Sequence, residues 1–167
     1  MEPNELRGNT FATSIGGLVV GTTTTLTITD NMTYCIQGKA HLDGAGTNQA
    51  TPTTDYSTGA AFLPVAANKA SVFVVALTAA GAIKVIQGDI VDLDGAADGA
   101  NSTFTNGAPD FPANIPADCC PIGYILTRVG ASAAASWTFG TSNLATITYI
   151  NHTLVNCFVL PSRPQIS

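Results

Sequence analysis

Ser71-Val-Phe-Val-Val-Ala-Leu-Thr-Ala-Ala-Gly-Ala-Ile-Lys-Val-Ile-Gln-Gly88 is the stretch that decides the fold. From Val72 to Leu77 every residue is apolar. The run is too short for a buried helix and rich in β-branched side chains, so it reads as a strand covered on both faces. Ala79-Ala80-Gly81 supplies a turn, and Ile83, Val85 and Ile86 return as a second strand. The block predicts a β-hairpin buried inside a sandwich or at a subunit seam. No reactive side chain sits on it.

Downstream, prolines at 109, 112, 116 and 121 cannot donate to a strand ladder and bias their predecessors to extended geometry. They predict an irregular crossing that leads into a strand from Gly123 to Val129. Upstream, Leu18–Val20, Leu26–Thr29 and Met32–Gln37 alternate apolar and polar residues, and Asp30-Asn31 predicts a hairpin turn between the last two. Residues 43–60 lack apolar periodicity and predict a long surface loop. Ser136–Phe139, Leu144–Ile150 and Val155–Leu160 complete the predicted strands. The expected fold is all-β, an antiparallel β-sandwich or jelly-roll-like domain with long Gly/Thr/Asn loops and extended termini. Its expected divisions are an N-terminal arm over 1–17, a single β domain over 18–160 and a tail over 161–167. Val159 onward, interrupted by Pro161 and Pro164, predicts an arm that lies across a neighbour.

The chain has 167 residues, enough for one core. Only 10% of them are charged, against about 25% in an average soluble protein. A surface built of hydroxyls, amides and small apolar groups is poorly protected against association, which predicts cover by other subunits. The six basic residues are scattered singly in a chain of net charge -5, which argues against a nucleic-acid partner. Acidic residues precede any apolar run at the N-terminus, and no apolar stretch is long enough to span a bilayer. The expectation is a chain made in the cytoplasm, without a membrane partner.

Chemistry-bearing residues are few. Asp92, Asp94 and Asp98 form an acidic loop that offers the weak candidates for a cation site, but the ligand spacing of an EF-hand is missing and exposed turn-forming aspartates account for the pattern. Two acids on one segment do not suit glycosidase geometry. Cys35, Cys119, Cys120 and Cys157 have no zinc-site spacing and are expected as reduced thiols. His41 and His152 are the only histidines available to partner a thiol, and neither sits in a catalytic motif. No catalytic residue, cofactor or enzymatic activity is predicted. Trp137, Phe139, Tyr124, Phe73 and Tyr149 are spaced as strand residues and are expected to fill the core rather than bind sugar.

The Val72–Gly88 hairpin, its Val-Ile-Gln-Gly exit and the proline-rich passage into Pro121-Ile-Gly-Tyr-Ile125 resemble a pattern in tailed-bacteriophage virion proteins, head decoration (cement) proteins above all. The resemblance implies a non-enzymatic protein that binds the outer surface of a phage capsid, commonly as a homotrimer, and stabilises the shell. The implied partner is the major capsid protein, and the implied location is the capsid surface of the virion. A receptor- or glycan-binding head or tail fibre module is the alternative. Phe73, Val75 and Tyr124 are the expected trimer contacts. Leu6 and Phe11 on the N-terminal arm, together with the 43–60 loop, are the expected shell contacts.

Overall fold

The computed structural model describes residues 9–145 and 147–164. They form ten strands and no helix: β1 (Phe11–Ala12), β2 (Leu18–Val20), β3 (Thr25–Ile28), β4 (Met32–Ile36), β5 (Lys39–Asp43), β6 (Gly46–Ala50), β7 (Lys69–Thr78), β8 (Ile83–Asp92), β9 (Cys119–Val129) and β10 (Ile150–Asn156). All pairings are antiparallel. A four-stranded sheet of order β10-β9-β7-β8 faces two three-stranded sheets, β1-β4-β5 and β2-β3-β6. The fold is all-β, with layers packed as in a sandwich.

The predicted hairpin is β7 and β8. It turns at Gly81, whose φ of 76° is left-handed and where a Cβ would come within 2.5 Å of Asp43 Oδ1. From Ala70 to Leu77, β7 has no exposed residue because strands flank it on both edges and layers cover it on both faces. Phe73, Val75 and Leu77 point into the main core with Leu26, Ile28, Met32 and Tyr34 from the small sheets. Val72, Val74 and Ala76 point the other way, against Tyr56, Phe111, Ile115 and Leu160. The proline crossing therefore covers the second face of the central sheet. Phe111 meets Tyr124 edge-on at 5.1 Å, and Asp89 N–H donates to the Asp110 carbonyl. Each side chain fully buried this way contributes about 1.5–3 kcal/mol.

The main core is closed by an aromatic cluster of Phe62, Phe73, Trp137 and Phe139, with centroids 5.1–6.0 Å apart. Past β10 the chain links layers: Cys157 N–H donates to Ile122 O, and Ala12 N–H donates to Phe158 O.

Several expectations are corrected. β3 and β4 do not form a hairpin. Thr29 and Asp30 N–H groups bond back to Gly17 and Gly16, which holds β3 on β2, while β4 turns at Gln37-Gly38 and pairs with β5. Both turn residues have positive φ, 51° and 77°, the geometry of a two-residue hairpin turn. The 43–60 segment is not wholly a loop, since β6 lies within it and pairs with β3. β1 begins inside the segment expected to be an arm. Ser136–Phe139 makes only a single bridge, Trp137 to Val65, and the predicted strands over 144–150 and 155–160 are replaced by β10 between them.

Candidate functional site

The acidic loop leaves β8 and is organised by its own hydrogen bonds. Asp92 is ion-paired with Lys69 at 2.5 Å. Asp94 accepts from Ala96 N–H and from the Thr103 hydroxyl, and these bonds hold its carboxyl below the usual range. Asp98 accepts from Ala100 N–H and the Asn101 amide. Asp94 and Asp98 each cap a turn, as short polar side chains do in loops, while Asp92 pairs across the β7–β8 ladder. Among the described residues no group of three or more His, Cys, Asp or Glu is placed to hold a metal ion.

The thiols and histidines are not paired. Cys119 and Cys120 are buried, and burial pushes each thiol up to about 12. Burial also raises Cys157, to about 11. Such thiols stay protonated and weakly nucleophilic at neutral pH. His41 stacks on Tyr34 at 5.6 Å. His152 shares a hydrogen bond with Thr127 Oγ1 through Nδ1 at 2.9 Å and lies 4.7 Å from the Trp137 ring. Its Nε2 is buried without a partner, and burial depresses its pKa to about 4.

The expected trimer contacts need correction. Phe73, Val75 and Tyr124 each have 0% exposure within a single chain, because the two small sheets and the proline crossing already cover them. They cannot reach a second copy. Leu6 lies outside the described residues. Phe11, by contrast, is half-buried on β1 opposite Cys35. In β4, Met32, Tyr34 and Ile36 point inward, so Thr33 and Cys35 point outward, and their cross-strand partners Phe11, Ala40 and Leu42 share that outer face. None of these five residues is charged. Leu42 is 75% exposed, and Phe158 and Val159, which follow the bond to Ala12, are 49% and 63% exposed.

The free edge of β8 is closed off. Asp55, 7% exposed, accepts from Ser57 N–H, the Ser57 hydroxyl and Gln87 N–H, while Gln87's side chain pairs with Leu63 N–H and C=O. Tyr56 N–H bonds Val85 O, and its hydroxyl donates to Asp118, which lifts the phenol to about 12. This covering loop protects an edge that would otherwise recruit another strand.

Sequence reasoning missed Leu42, because an isolated apolar residue in a polar strand carries no periodic signal, and it placed Phe158 and Val159 in a strand that ends before them, at Asn156. It also missed Asp55, whose Asp-x-Ser spacing is a recognisable local cap. What the fold and surface define is an antiparallel β scaffold with one partly apolar outer face. The chain matches no family model, no curated protein and no solved structure.

Proposed function

We propose that this chain is a structural virion protein that binds the outer surface of a phage capsid, as a homotrimer, and stabilises the shell. The observation that carries the reading is the outer face of β1-β4-β5, with Leu42, Phe158 and Val159 exposed on or beside it. Exposed apolar groups such as these are what subunit interfaces cover. The low charge of the whole chain supports the same reading, since a protein held in an assembly does not need charge to stay apart from its neighbours. The contact surface is the face of Phe11 and Leu42, not the central hairpin. Sedimentation of the purified chain at micromolar concentration tests the trimer: a threefold mass supports it, and a compact monomer contradicts it. Mixing with empty shells then tests the partner, the major capsid protein.

A further inference from the structure

Beyond the assembly reading, and independent of it, one cleft has the chemistry of a ligand site. It has a volume of about 500 Å³ and lies between the 132–137 turn and the segment around Asn143 and Tyr149. None of its lining side chains is charged. The only tryptophan of the chain, Trp137, forms its floor and is fixed by its indole N–H donating to Asn143 O at 2.8 Å. Tyr149 stands on the wall and is 43% exposed, while Trp137, Phe139, Tyr124 and Phe73 are all buried.

Tyr149 also has a φ of 67°, the only aromatic residue with a positive value. Bulky side chains disfavour this region, and such strain gathers at functional sites. The bond from Gly130 N–H to Tyr149 O and the turn bond from Ile150 N–H to Ile147 O hold it there. Around it, the hydroxyls of Ser132, Ser136 and Thr148 make no hydrogen bond among the described residues. Asn143 uses its side-chain oxygen to cap Ala145 N–H and leaves its NH₂ to donate.

We infer that this cleft binds a neutral saccharide. A pyranose offers a C–H face that packs on aromatic rings and an edge of hydroxyls that both donate and accept. The half-exposed ring of Tyr149 answers the first and the uncommitted Ser, Thr and Asn groups the second. An anionic sugar is excluded, because no cation lines the cleft and the chain carries a net charge of -5.

The test titrates the full chain with glucose, galactose, mannose and N-acetylglucosamine, and with glucuronate as the charged control, reading Trp137 fluorescence. At least one neutral sugar saturates a change in emission at or below about 10 mM, and glucuronate does not. Tyr149→Asn keeps a residue that tolerates positive φ while removing the ring. It weakens binding by about tenfold or more, with a thermal midpoint no lower than that of the parent. Ser136→Ala weakens binding without altering the fold. Silence with all four neutral sugars, equal binding by Tyr149→Asn, or glucuronate binding as tightly as glucose overturns the inference.

Discussion

The side-chain amide of Asn156 is paired with the backbone of Leu18 at both ends: Leu18 N–H donates to Asn156 Oδ1 at 2.6 Å, and Asn156 Nδ2 donates to Leu18 O at 3.3 Å. The amide imitates a strand residue and joins the edge of the central sheet to β2. Asn156→Ala leaves both Leu18 groups without that partner. The expected cost is about 2–3 kcal/mol in chemical denaturation. Asn156→Asp keeps one acceptor but sets a carboxylate against the Leu18 carbonyl, so it should be no more stable than Asn156→Ala. A loss below about 0.5 kcal/mol for both variants contradicts the coupling.

His152 makes stability depend on acid. Its folded pKa, about 4, lies below the ordinary 6.5, so the unfolded chain binds the proton first on acidification. Stability is complete above about pH 6.5 and falls as pH drops towards 4, by about 3 kcal/mol at full protonation. His152→Gln should flatten the thermal-midpoint profile between pH 6.5 and 4.5. An unchanged slope there rules the histidine out as the cause.

Gly81→Ala should destabilise by about 1–2 kcal/mol, because an alanine at that φ is strained and its Cβ would strike Asp43. Adding Asp43→Ala should recover part of the loss. If the two effects simply add, the close approach carries no energy.

The buried thiols make a labelling prediction. At pH 8, Cys119 and Cys120 should resist iodoacetamide in the folded chain and react once it is unfolded, as their depth and raised pKa values require. Mass mapping of the labelled peptides reads this directly, and prompt labelling of either thiol in the folded chain contradicts it.

What the sequence disclosed follows from how each strand is stabilised. β7 and β9 were legible because burial on two faces demands nearly continuous apolar runs, and β8 because Ile83, Val85 and Ile86 return from the Gly81 turn. β6 was hidden: Gly46-Thr-Asn-Gln-Ala50 has no apolar pattern and is held by its ladder to β3. Ser136–Phe139 misled because Trp137 and Phe139 alternate as a strand would, yet they fill the core from a loop tied to Val65 by one bridge. The double-sided apolar run of β7 suggested a subunit seam. The proline crossing turned out to supply the missing cover, and nothing in its composition announces which sheet face it will take. Leu42 became visible only once its register with Thr33 placed it outside, and Phe158 only once the chain past β10 was seen to leave it half-exposed.

The assembly reading rests on that outer face, and one measurement tests it most directly. Purified chain is mixed with empty capsid shells, bound chain is separated by sedimentation, and the temperature of shell disruption is recorded. Parent protein should band with the shells at a fixed ratio and raise the disruption temperature. The Leu42→Glu and Phe158→Glu double variant should keep its folding stability within about 1 kcal/mol and lose both effects, because surface changes cost little in the folded monomer. Parent protein that stays in the supernatant and leaves the disruption temperature unchanged contradicts the account.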